Sequence, residues 1–188
     1  MKKLKNAKGF TLVETLTCML MLVILGGICS TGMEFAMKCY QETVFESNSQ
    51  TLASSLEVYM SDILRYATDV KTTGSADADG YKVVTGFTNP VYQMYEGMIA
   101  VSTEDETSGK MVIYTRPAGE AARKEYLIVG HGMYAEDMYI TDFILKYKDK
   151  EEDTDEEKHY FIGEYKIKSE LTDSMVRTYT FGCRTISE

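Results

Sequence analysis

Four sets of residues have side chains that could do chemistry. The first is Glu14, a lone carboxylate at the head of the apolar run "TLTCMLMLVILGGIC", residues 15–29. A carboxylate at the centre of a bilayer costs roughly 2.5–3.5 kcal/mol on insertion scales, and more if it has no partner, so a charge placed there calls for a cation to meet it. The second set is acidic: "DADG" at 77–80 and "EEDTDEE" at 151–157. Closely spaced carboxylates supply oxygen ligands for calcium, but "DADG" lacks the third early acid and the closing glutamate of an EF-hand loop and reads as a turn. The run at 151–157 reads as a solvated loop between strands. The third set is His131 and His159, which have no cysteine or carboxylate at zinc spacing and read as structural. The fourth is the cysteines. Cys18 and Cys29 fall in the apolar run and act as small hydrophobes, Cys39 lies just beyond it and Cys183 near the end, with no close CxxC pair. There is no GxSxG, no phosphate-cradling loop and no nucleophile–base pairing. The residues therefore point away from an enzyme, a metal or a cofactor, and towards Glu14.

The element that positions Glu14 is a helix whose length matters. From Leu16 to Cys29 the uninterrupted apolar stretch holds 14 residues. A hydrocarbon core about 30 Å thick needs roughly 20 helical residues. The window reaches that length only from about Phe10, and it then includes Glu14. At 1.5 Å per residue Glu14 lies ~6 Å along the helix from Phe10, shallow in the membrane. Lys2, Lys3, Lys5 and Lys8 mark that side as cytoplasmic, which places the chain after Gly32 outside.

A basic stretch followed by an apolar one is open to several readings. A secretory signal peptide has both features, but Glu14 at the head of its apolar part counts against it. A lipoprotein signal expects a small residue before the cysteine, and "GGIC" has Ile28 there. A plain signal anchor leaves the glutamate without a purpose. The residues "KGFTLVE", 8–14, with about 20 apolar residues after them, resemble the class III signal of type IV pilins and type II secretion pseudopilins. The resemblance is tight over residues 8–14 and general to about residue 32. It implies cleavage after Gly9 by a prepilin peptidase and N-methylation of the new first residue, Phe10. It also implies that Glu14, then fifth in the mature chain, is an assembly contact. The Phe10 amine of one subunit would neutralise the Glu14 carboxylate of a neighbour and set the register. Many pilins close the C-terminal region with a disulfide between two late cysteines. Only Cys183 lies there in this chain, which departs from that pattern. A Cys39–Cys183 bridge would have to reach a cysteine expected on the stalk below the domain. The helix-breaking proline of many major pilins is absent too, although Gly26, Gly27 and Gly32 weaken the buried half of the helix.

With the anchor removed, the 188-residue chain has enough left for one modest domain. The leader, 1–9, carries four lysines and no acid, and losing it takes the formal charge from −9 to −13. Such acidity disfavours sequence-independent binding to nucleic acid or to anionic membrane surfaces.

Beyond the membrane the helix is expected to continue. Leu52, Leu56, Tyr59, Ile63, Tyr66 and Val70 recur at steps of three and four, with Met60, Leu64 and Ala67 beside them. "KTTGSADADG" then ends the helix in a loop. After residue 80 the period changes to two, and seven stretches read as strands. The clearest has Phe161, Tyr165, Ile167 and Leu171 on one face and Glu164, Lys166, Lys168 and Glu170 on the other, the alternation of a half-wetted antiparallel sheet. The 14 tyrosines fit core and sheet packing. The fold class is α+β, pilin-like: a long N-terminal helix, its first half transmembrane, packed against an antiparallel sheet. The divisions are leader 1–9, transmembrane and assembly helix 10–32, amphipathic continuation 33–70 and β-rich extracellular domain 71–188. The resemblance implies a minor pilin or pseudopilin of a pilus, secretion or DNA-uptake machine. Its partners would be the prepilin peptidase, other pilin subunits and an inner-membrane assembly platform. The alternative is a signal-anchored extracellular binding domain that never assembles.

Overall fold

The computed structural model describes residues 11–104, 107–116, 122–135, 138–148, 160–170 and 175–186. One helix, α1 (Leu12–Arg65), precedes eight strands: β1 (Thr68–Thr73), β2 (Lys82–Asn89), β3 (Met94–Val101), β4 (Met111–Arg116), β5 (Lys124–Leu127), β6 (Met138–Lys148), β7 (Tyr160–Ser169) and β8 (Val176–Arg184). The chain divides into two compact units at Val44/Phe45. In the first, the described residues are Thr11 and α1 up to Val44, and every one of them is exposed. This part of α1 is long and apolar enough to cross a membrane.

The second unit is α+β. The strands form one antiparallel sheet in the order β5-β4-β3-β2-β6-β7-β8, with β1 paired to β2. From residue 45 onwards, α1 packs against it. Phe45, Ser49, Leu52, Ala53, Leu56, Met60 and Leu64 are buried along one face of the helix, and all but Ser49 join Phe161, Tyr165, Ile167, Phe181 and Cys183 in one hydrophobic core. Polar contacts follow the same line. Ser49 Oγ and Tyr179 Oη are 2.8 Å apart, Tyr165 Oη donates to the carbonyl of Ala53 at 3.3 Å, and Asn89 Nδ2 donates to that of Ile63 at 2.6 Å. Burial pushes the Tyr165 hydroxyl well above its ordinary pKa, so this donor stays protonated.

Two expectations about the helix need correction. Tyr59 is 54% exposed and not part of the buried face, which runs one residue on, through Met60 and Leu64. And α1 ends at Arg65, not near residue 70. Its last turn tightens, with Ala67 N donating to Leu64 O at 3.1 Å. Val70 then lies in β1, a strand where helical spacing and a terminating loop are the expectation. Val70 sits four residues after Tyr66 and so mimics helical spacing, but "TDVKTT" is rich in β-branched residues. β2 pairs with Thr68–Thr73 along one side and so gives them the backbone partners of a strand.

The alternation read in the sequence of β7 is present: Phe161, Tyr165 and Ile167 are buried, while Glu164 is exposed. Leu171 lies outside the described residues. Three bends in the sheet occur where non-glycine residues take positive φ. These are Asp69 in β1, Glu96 in β3 and Asp142 in β6, each at a register shift. An extra residue there leaves the ladder and bends the strand. Asp142 pairs with Lys166 Nζ at 3.2 Å.

Candidate functional site

The site is the start of α1. Thr11 precedes the helix, and Glu14 stands in its first turn. Gly9 and Phe10 lie outside the described residues. Glu14 Oε2 accepts from the backbone N–H of Thr11 at 2.8 Å and from its hydroxyl at 2.9 Å. In return the Glu14 N–H donates to Thr11 Oγ1 at 3.3 Å. This is a reciprocal capping box. Threonine at the N-cap and glutamate three residues later each satisfy a donor that the first turn leaves without a partner. The dipole of a helix also favours negative charge at this end.

Thr11 is the residue that the motif reading passed over. Its signal was present: "TLVE", a threonine three residues before an acid at the head of an apolar run. What the arrangement can do chemically is hold a carboxylate group at a fixed place on an apolar helix. From there to Val44 the helix surface is mostly apolar. Leu12, Val13, Leu16, Met19, Leu20, Met21, Leu22, Val23, Ile24, Leu25 and Ile28 are exposed, and farther along so are Met33, Phe35, Met37 and Tyr40.

The other sequence candidates lie away from this site. Cys18, Cys29 and Cys39 are exposed free thiols, and Cys183 is a buried one, so no Cys39–Cys183 bridge forms. Burial raises the pKa of the Cys183 thiol, which donates to the carbonyl of Ser61 at 3.3 Å. It serves as a core residue, not a nucleophile. His131 begins a short 3-10 helix, His131–Met133. His159 and the acidic run 151–157 lie outside the described residues. Among the described residues no group of three His, Cys, Asp or Glu side chains is close enough to hold a metal ion.

The "DADG" turn is closed by protein donors. Asp77 Oδ1 accepts from the backbone of Tyr81 at 2.8 Å and of Asp79 at 3.2 Å. Its Oδ2 accepts from Lys146 Nζ at 2.8 Å. The Lys146 hydrogen bond, chiefly, holds this carboxyl below its usual pKa. Calcium would have to displace that ammonium. The melting temperature of the full chain in detergent is therefore expected to be the same with calcium and with chelator. A ligand at a hundred times its Kd stabilises by about 2.7 kcal/mol, so a chelator-induced drop of several degrees would show a calcium site in one of the two acidic stretches.

Comparison with protein-family models, with curated proteins and with solved structures found no match for the chain.

Proposed function

We propose that the chain is a minor pilin or pseudopilin, a structural subunit of a type IV pilus-like filament or of a related secretion or DNA-uptake machine. One observation carries this reading: Glu14 sits in the first turn of an exposed apolar helix, five residues after Gly9 in "GFTLVE". Prepilin peptidase removes residues 1–9 on the cytoplasmic side, and the amine of Phe10 is methylated. The helix holds the subunit in the cytoplasmic membrane with its N-terminus inside and the β-rich domain outside. Other pilin subunits and an assembly platform then draw it into a filament by helix packing. The chain itself catalyses nothing and takes no cofactor.

A second reading has its own support. The hydrogen bonds between Glu14 and Thr11 employ the carboxylate within one subunit, as an extracellular binding domain on a permanent anchor would need. The N-terminus of the mature protein decides between the two. Membrane-fraction protein analysed by mass spectrometry is expected to begin at Phe10 and to carry one methyl group on its amine. Protein that still begins at Met1 would overturn the pilin reading and leave the anchor.

A further inference from the structure

The free strand ends of the sheet are not alike. Two of them are blunted in the ways by which sheets avoid unwanted pairing. β1 has two register shifts and Asp69 at positive φ. β5 has only four residues and begins with Lys124. β8, at the other end of the sheet, has neither protection. It pairs with β7 over nine consecutive residues, Val176–Arg184, without a register shift. It contains no proline and no lysine.

The direction of its backbone groups follows from one bond. Ser169 N donates to Met175 O at 3.2 Å, so the odd-numbered residues of β8 exchange hydrogen bonds with β7. The even-numbered ones point away from the sheet. The two ends of that outer edge are occupied: Arg177 Nη1 donates to Val176 O, Cys183 Sγ to Arg184 O, and Ile186 N to Arg65 O. Between them stand Thr178, Thr180 and Gly182, all exposed. Each presents one N–H and one C=O outwards, with no backbone partner among the described residues.

We infer that this edge is a docking site for an extended strand of a different protein chain, which adds to the sheet beside β8. Groups alternating with a period of two match a β-strand and neither a helix nor a small molecule. A second copy of this chain fits poorly. Its β1 and β5 edges are blunted. Its β8 would pair antiparallel about Thr180, and the helices give the consequence. α1 runs alongside β8 in the same sense, from Glu46 beside Arg177 to Arg65 beside Ile186. Two such copies would have opposed helices, whereas subunits stacked in one filament share one sense. This last step rests on the filament reading. The residues that an incoming strand would meet are those of β8 itself, Thr178, Thr180 and Gly182, so it is expected to place hydroxyl-bearing or β-branched residues opposite the two threonines.

The test is amide hydrogen exchange on the wild-type protein, in its isolated membrane-bound form and in the assembled machine. The amides of Thr178, Thr180 and Gly182 are expected to slow at least tenfold on assembly, with the odd-numbered amides of β8 unchanged. The variant Thr180→Pro removes one outward N–H. It is expected to fold with a near-wild-type melting temperature and to enter the assembly at least tenfold less. Assembly without slowed exchange at the three even positions overturns the strand-docking inference and leaves the filament reading standing. Protection that appears in homogeneous assemblies of this chain alone overturns the choice of a different partner. A chain that never leaves its monomeric membrane form overturns the filament reading itself, and with it this inference.

Discussion

Replacing Glu14 by leucine is expected to leave membrane insertion intact and to remove the subunit from filaments. Leucine makes the segment more apolar, so insertion is as good or better. On the pilin reading proposed above, cleavage is expected to persist, because the peptidase would chiefly demand a tiny residue at Gly9. What would be lost is the partner for a neighbour's Phe10 amine. Removing one member of a buried ion pair leaves the other charge uncompensated, an effect of well over a hundredfold on an assembly equilibrium. The capping box makes a second variant necessary, since Glu14→Leu also strips Thr11 of its acceptor. Glutamine keeps the acceptor and serves in capping boxes as well as glutamate does. Glu14→Gln therefore preserves the helix start and removes only the charge. Its incorporation is expected to fall too, though less than that of Glu14→Leu, since an amide oxygen still accepts a hydrogen bond. Processed subunit in the membrane is compared with subunit in sheared filaments. Wild-type incorporation of Glu14→Gln beside a defective Glu14→Leu would reduce Glu14 to a helix cap. Wild-type incorporation of both would remove it from assembly altogether.

Gly163→Ala is expected to destabilise the second unit by about 1–3 kcal/mol, the usual cost of overfilling a packed core. Gly163 lies in β7 between the buried Phe161 and Tyr165, opposite Phe181 of β8. A Cβ at this position would stand 2.0 Å from Phe181 Cε1 and 2.4 Å from its Cζ. The ring lies where the side chain would be, and at 4% exposure Phe181 has little room to swing away. For a unit of this size each kcal/mol moves the melting temperature by roughly 2–4 °C. Thermal unfolding of the detergent-solubilised full chain reads the shift. Phe181→Leu shortens the obstacle, so in its background the added methyl is expected to cost less than in the wild type. Groups that share one space do not add. An unchanged melting temperature in Gly163→Ala would show that the ring does not fill that space.

Both variants act through neighbours, but they differ in how far the neighbour is along the chain. Glu14 meets Thr11 three residues away, and the spacing "TxxE" before an apolar run is visible in the letters. The length of the apolar segment, the lysines before it, the change from helical to two-residue period and the alternation of β7 are equally local. They follow from the geometry of a single helix or strand, so the α+β class and the position of Glu14 were legible before any folding. The helix boundary was not. Val70 fits helical spacing from Tyr66, and only pairing with Val83–Thr88 of β2 draws residues 68–73 into a strand. Nor could periodicity choose between Tyr59 and Met60 for the buried face. That choice depends on which way the sheet lies, and the sheet is made of residues a hundred positions on.

By itself, then, the sequence determined what short stretches of backbone can be: one apolar helix with an acid in its first turn, and strands with one wet face. The tertiary structure alone decided what fills the space above Gly163, which carboxylate takes the Lys146 ammonium, and which edge of the sheet stays open. Gly163 and Phe181 are 18 residues apart, Asp77 and Lys146 are 69, and the open edge of β8 depends on the order of all eight strands. Such juxtapositions come from chain closure over long distances. No residue spacing encodes them, because the hydrophobic pattern that drives closure is satisfied by any partner of the right face and size.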